Sequence, residues 1–412
     1  YIRQNRNQRS VDILLETTWN QNYPYNSQCP EDEDGNNGHV YAGCVATAMG
    51  QVINYYNHPT RGTGSHSYTP GGWGYPSYPT QTANFGQTDY HFELMPLALD
   101  SLSTDDEIFY IAQLLHHLGI SVDMMYGPDG SGAYSNDVPY ALHDYFGFSE
   151  SNLIEKDGWW YDGYTNEEWA TALKGELDQN RPVFYGGQDD SGSGGHAFVC
   201  DGINAIGKVH INWGWDGVAN GYFYVTLLDP NDQGTGGSAS DLAFTTFVAA
   251  IVNIKPNAHG KQIPNPVVID TFYYEGNNLV IGREEILTPA IKGVYTAGLW
   301  DEYKGDVGLG IYKDGQFKEW LYKYYAKIGW GDEDVRSMSE YFPKNLPNGE
   351  YELYPTSQAQ GYSEIVRAQV VSPICQVHLE VTDEQIIITD SSFVHDPGCT
   401  DNLKVGPEKR GY

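Results

Sequence analysis

The spacing of apolar residues changes partway along the chain. From Cys44 to Asn57, the residues Val45, Met49, Val52, Ile53 and Tyr56 recur at helical spacing, so a helix opens at Cys44. Thr104 and Glu107 form a capping box ahead of an apolar run, which predicts a helix to Leu118, stopped by Gly119. Thr165 and Glu168 do the same for a helix towards Leu177, and Asn136 is placed to cap a short helix ending near Gly147. From Pro182 the pattern turns to strands, at Val183–Tyr185, Ala197–Asp201, Val209–Trp213, Tyr222–Leu227 and the run Thr245–Val252. Helices come early and an antiparallel sheet late, which is an α+β order.

A polar linker, Lys255–Gly260, follows the last of these strands. Beyond it, Val268, Asp270, Phe272 and Tyr274 alternate with Ile269, Thr271 and Tyr273. Further strands are predicted at Asn278–Ile281, Gly308–Tyr312 and Glu350–Tyr354, with Asp314–Gly315 and Asn348–Gly349 as hairpin signals. Short strands at this spacing predict a β-sandwich of immunoglobulin-like type over residues 257–370. Residues 371–412 hold two more strands, Val377–Val381 and Gln385–Thr389, too few for a domain of their own and assigned either to the preceding domain or to a truncated one. Residues 1–256 form the first domain.

Composition narrows the function. A length of 412 residues exceeds one ordinary core. Aromatic residues make up 14% of the chain and charged residues only 19%, with a net charge of −31. Such a charge excludes a phosphate-binding surface of clustered Lys and Arg, and hence a nucleic-acid partner. It equally disfavours anionic membranes, and no apolar run reaches the length of a membrane helix. An extracellular setting fits this charge. The opening Tyr1–Arg6 lacks both Met and the apolar stretch of a secretion signal, and reads as the start of a processed chain. Five cysteines, at 29, 44, 200, 375 and 399, are too few for a disulfide scaffold. Cys375 and Cys399 lie close enough in sequence for a local bridge. The acidic run Glu31–Asp34 offers calcium-ligand types without EF-hand spacing.

Three segments carry candidate chemistry. In Tyr41–Ala48 a cysteine follows Gly43 at a helix start, where free N–H groups and the helix dipole favour a thiolate. In Gly194–Val199 a histidine follows two glycines at the start of a buried strand. In His210–Gly217 a strand ends in Asn212–Trp213–Gly214–Trp215, where an amide oxygen can fix an imidazole and an indole can cover it. Taken singly, each has a plain structural reading: a buried thiol, a turn histidine, two core tryptophans. The order Cys, His, Asn on one helix and two neighbouring strands is that of papain-like proteases. Gln21, in Trp19–Asn26, is a suitable second oxyanion donor.

These residues resemble the streptopain family, secreted bacterial cysteine proteases of papain-like fold. The resemblance rests on Asn20–Gln21 with Pro24–Asn26, Gly43–Ala48, Tyr55 with Asn57 and Pro59, Ile120–Met124 with Tyr126–Pro128, Gly194–Val199, and Asn212–Trp215 with Gly217–Val218. It runs from about residue 10 to 256 and implies roles position by position. Cys44 is the nucleophile, His196 the base and Gln21 the oxyanion donor, while Asn212 and Trp213 orient and shield the histidine. Gly132, Ala133, Tyr134 and Ser135 form a substrate-binding loop, with Gly194, Gly195 and Trp215 along the cleft. Tyr134 stands where the family has small residues, and Gly71–Tyr75 also departs from its pattern. The family implies no cofactor and no metal, protein or peptide substrates, and a propeptide ahead of the mature chain as an inhibitory partner. Two other functions compete with this one: a transferase or amidase on the same site, and a non-catalytic adhesin that keeps the fold and binds through the β-rich tail and exposed aromatics. The complete Cys44, His196, Asn212 and Gln21 set argues against the adhesin.

Overall fold

The computed structural model describes residues 10–72, 74–149, 151–156, 164–189, 194–230, 243–257, 267–274, 280–296, 302–329, 335–337, 339–370 and 376–390. The proposed Cys375–Cys399 bridge lies outside the described residues. The chain divides into two compact units, one of residues 1–151 with 169–262 and one of residues 152–168 with 263–412.

The first unit is built on helix α1 (Cys44–Tyr56). All nine residues from Val45 to Ile53 are buried, so α1 is enclosed all round and not merely along the stripe its periodicity predicts. Helix α2 (Asp105–Ser121) has the expected capping box, with the Glu107 N–H donating to Thr104 Oγ1 and the Thr104 N–H to the Glu107 carboxylate. Gly119 does not stop it: α2 runs on to Ser121. Glycine is needed there because a Cβ would stand 2.3 Å from Tyr126 Oη. Helix α3 (Val138–Asp144) follows a 3-10 turn over Ser135–Asp137. Its first turn is set by Pro139, with no side-chain cap from Asn136. Helix α4 (Asn166–Asp178) starts at the predicted Thr165–Glu168 box.

Five strands complete the layer beside α1: β1 (Val183–Asp189), β2 (Gly195–Ile203), β3 (Val209–Asn212), β4 (Gly221–Phe223) and β5 (Phe244–Val252). They lie in the order β5-β1-β2-β3-β4, and every neighbouring pair is antiparallel. The strand predicted over Tyr222–Leu227 ends at Phe223, where the chain turns. Helix α1 packs on β2, the strand that carries His196.

The linker residues 255–257 are pinned. The Ser149 N–H donates to the Lys255 carbonyl and the Asn257 N–H to that of Gly147, both at 2.9 Å.

The second unit contains β6 (Val267–Tyr274), β7 (Val280–Gly282), β8 (Pro289–Thr296), β9 (Glu302–Lys313), β10 (Gln316–Gly329), β11 (Val335–Ser337), β12 (Gly349–Ala359), β13 (Gln369–Val370), β14 (Val377–Val381) and β15 (Gln385–Asp390). One sheet has the order β11-β8-β6-β13 and the other β7-β15-β14-β12-β9-β10. Both contribute to one core, with Ile269, Phe272 and Ile291 from the first sheet and Leu309, Leu353 and Leu379 from the second. Asp314–Gly315 joins β9 to β10 as predicted. Asn348–Gly349 makes no hairpin; Gly349 instead opens β12. The two predicted C-terminal strands pair with each other and through β14 with β12, which joins them to this unit.

Candidate active site

Cys44 is the first residue of α1, and Gly43 before it has φ 92° and ψ 142°. Only glycine takes that conformation readily, and a Cβ there would meet the Met124 side chain at 2.8 Å and the Ser131 carbonyl at 3.2 Å. The helix start therefore sits close against the loop at 131. Cys44 is half-buried at this helix start, and α1 packs on β2, the strand that carries His196.

Burial works against the thiolate expected at this helix start. It pushes the Cys44 thiol up, with neighbouring backbone groups opposing it. Burial likewise lowers His196 to about 4, partly opposed by its bond to Trp213. Both shifts disfavour the charged forms of the two groups.

His196 is 9% exposed, and its Nε2 lies 2.8 Å from the Trp213 carbonyl oxygen. A carbonyl only accepts, so Nε2 carries the hydrogen and Nδ1 keeps the lone pair. Asn212 does not fix this tautomer. Val199 pairs with Asn212, which sets His196 three residues out of register, level with Trp215. Side chains alternate along a strand, so His196 and Asn212 point to opposite faces of the sheet. The Asn212 amide is instead held by the Thr17 carbonyl at 2.7 Å, by the Gly214 N–H at 3.1 Å and by Gln51.

The face that carries His196 is aromatic. Trp215 stacks on the imidazole with centroids 4.6 Å apart and planes 23° apart. Trp213, Phe198 and Phe244 close around it at 6.3, 5.8 and 5.4 Å. Trp213 is fully buried, its indole N–H donating to the Ala219 carbonyl. Trp215, expected along the cleft, is the ring that lies directly on the His196 imidazole.

Gln21 is tied by its backbone to the segment before Cys44, its carbonyl accepting from the Ala42 N–H at 2.9 Å. Among the described residues its side-chain amide has no hydrogen-bond partner, which leaves both N–H donors free. The loop of Gly132, Ala133, Tyr134 and Ser135 is held at both ends. At one end Gly132 exchanges backbone hydrogen bonds with Met125, and at the other Ser135 Oγ lies 3.7 Å from where a Cβ on Gly186 would stand. Tyr134 is 44% exposed. Gly194 and Gly195 are exposed at the start of β2, the Gly194 N–H donating to the Asp189 carboxylate. Cys29 and Cys200 are buried free thiols away from this constellation, with Cys200 paired opposite Val183 inside the sheet. Among the described residues no group of three or more His, Cys, Asp or Glu is arranged to hold a metal ion, and no helix is long and apolar enough to cross a membrane.

Sequence reasoning missed Gln51 and the Trp213 carbonyl. Gln51 left a signal as a lone long amide between Gly50 and Val52 of an apolar helix. A backbone acceptor leaves none.

Comparison with known proteins matches the peptidase C10 family over residues 19–223. The chain is 34% identical over 311 residues to the thiol protease/hemagglutinin PrtT of Porphyromonas gingivalis, covering 73% of this chain and 33% of that protein. It is 34% identical over 248 residues to streptopain of Streptococcus pyogenes, covering 58% of this chain and 60% of that protein. It therefore spans less than two thirds of either relative. The PrtT match covers more residues than 1–256 contain, so similarity extends past the limit read from the sequence. Among solved structures it resembles the active interpain A cysteine protease of Prevotella intermedia, at 36% identity and a TM-score of 0.52, covering 60% of this chain and 95% of that one. It also resembles a prointerpain A fragment from the same organism, at 35% identity and a TM-score of 0.50, covering 63% and 74%. With its helix-opening cysteine and strand-borne histidine brought together in an α+β unit of papain-like kind, the chain belongs to the peptidase C10 family.

Proposed function

We propose that this protein is a cysteine endopeptidase that cleaves peptide bonds through an acyl-enzyme on Cys44. The observation that supports this reading is the packing of α1, which Cys44 opens, on β2, the strand that carries His196. His196 Nδ1 takes the thiol proton as sulfur attacks the carbonyl carbon. The oxyanion accepts from the Cys44 N–H and the Gln21 amide. The imidazolium passes its proton to the leaving amine, and water, deprotonated by the same imidazole, then releases the acyl group and restores the thiol. Asn212 and Trp213 act on the base indirectly, through the carbonyl that follows Asn212 in the chain. Gly132–Ser135, Gly194, Gly195 and Trp215 face the peptide. The partners in this reading are protein or peptide substrates and a propeptide, and the setting is extracellular.

A pH profile tests the base. A histidine lowered to about 4 stays neutral, and able to accept a proton, throughout the interval between 4 and its ordinary 6.5. The acid limb of kcat/KM should therefore lie well below 6.5, nearer 4. A limb at or above 6.5 would contradict this lowering of His196.

The domain boundary near residue 256 is likewise proposed. It is supported by the gathering of residues 1–151 and 169–262 into one compact unit, with Lys255 and Asn257 pinned to residues 147–149. A chain ending at Gln262 keeps those bonds and should remain soluble and hydrolyse small peptides. Loss of turnover in a folded protein of that length would make the C-terminal residues part of the catalytic unit.

A further inference from the structure

We propose that Gln51 is a positioning residue that locks the nucleophile helix, the oxyanion segment and the turn holding His196 into one register. This rests on the peptidase reading above.

Gln51 lies seven residues after Cys44, two turns along α1, and is fully buried. Its Oε1 accepts from Thr17 Oγ1 at 3.1 Å, from the Trp19 N–H at 3.2 Å and from Asn212 Nδ2 at 3.1 Å. Its Nε2 donates to Asn212 Oδ1 at 3.3 Å. The orientations of the two amides are fixed by groups with a single role. The Trp19 and Gly214 N–H groups only donate and the Thr17 carbonyl only accepts, so neither amide can be reversed without losing a bond.

Each partner leads to a different part of the site. Thr17 and Trp19 lead into Gln21, whose carbonyl is tied to Ala42 just before Cys44. Asn212 and Gly214 flank Trp213, whose carbonyl fixes the tautomer of His196. Gly214 also rests on α1, since a Cβ there would meet Thr47 at 3.1 Å and Gln51 Nε2 at 3.9 Å. One side chain thus joins three segments far apart in sequence, and it touches neither substrate nor the reacting atoms. A buried amide making four hydrogen bonds has little freedom, so the Trp213 carbonyl is held where the imidazole needs it.

The test is Gln51→Leu, close in size but unable to hydrogen-bond, with three readouts. Thermal unfolding reports the structural cost. Steady-state kinetics on a peptide amide report kcat and KM separately. The pH dependence of iodoacetamide alkylation of Cys44 reports the Cys44–His196 pair without any hydrolysis. In folded variant we expect kcat to fall about tenfold or more with KM nearly unchanged, together with a displaced alkylation profile. A folded variant with the parent's kcat and alkylation profile overturns the proposal, however far its melting temperature falls.

If Gln51→Leu does not fold, Gln51→Glu decides. A neutral carboxyl keeps a donor and an acceptor, whereas a carboxylate loses the donor to Asn212. Its kcat relative to the parent should fall as pH rises, and a ratio that is constant with pH overturns the proposal. Hydrolysis surviving in Cys44→Ala would instead remove the peptidase reading, an outcome separate from either Gln51 result.

Discussion

Cys44→Ala should abolish peptide hydrolysis while leaving the fold intact. Without sulfur there is no acyl-enzyme, and water held beside His196 is a poor substitute. The loss should be on the order of 10⁴-fold or more in kcat. The structural cost is small because the change removes one atom from a half-buried residue at the first position of α1. Casein hydrolysis checks the first statement and circular dichroism the second. Hydrolysis near the parent level in a folded variant would sink the nucleophile assignment. Cys200→Ala serves as the control, since its sulfur is enclosed in the sheet and burial holds it as the thiol. That variant should keep its turnover.

Gln21→Ala should lower kcat by roughly a hundredfold, the usual cost of one oxyanion donor, with little change in KM. The free Gln21 amide gains most when the carbonyl oxygen becomes an oxyanion, and much less in the ground state. Its backbone bond to Ala42 survives the substitution, so the loop need not move. Iodoacetamide alkylation passes through no oxyanion and should proceed at the parent's rate. A joint shift of alkylation, kcat and melting temperature would mean that Gln21 only holds its loop, and would remove it from the catalytic set. Gln51→Leu should differ in a readable way, because it disturbs the Cys44–His196 pair and hence alkylation itself.

What the sequence revealed and what it hid divide along physical lines. Cys44 and His196 were legible because each sits in a local context that demands it. A thiol after a glycine at a helix start and an imidazole opening a buried strand are features of a few consecutive residues. The capping boxes at Thr104 and Thr165 and the Asp314–Gly315 turn are local for the same reason. The partner of His196 was not legible, because it depends on register. Pairing of Val199 with Asn212 puts Asn212 on the opposite face and brings the Trp213 carbonyl to Nε2, and neither periodicity nor motif states that offset. Gln51 was hidden by distance: its amide partner lies 161 residues away. Gly119 looked like a helix stop because glycine often is one, yet here it makes room for Tyr126. The thiolate expectation weighed the helix start alone and not burial, which pushes the Cys44 thiol up.

The central claim, that Cys44 carries the acyl group, is tested most directly by active-site titration. The protein is treated with a substoichiometric series of a peptide epoxide that reacts with thiols. Intact mass, peptide mapping and residual casein hydrolysis are then read at each point. The account predicts a single adduct on Cys44, with activity falling in strict proportion to the fraction labelled and reaching zero at one label per chain. Full labelling of Cys44 with hydrolysis persisting, or activity lost through label on Cys29 or Cys200 instead, would contradict it.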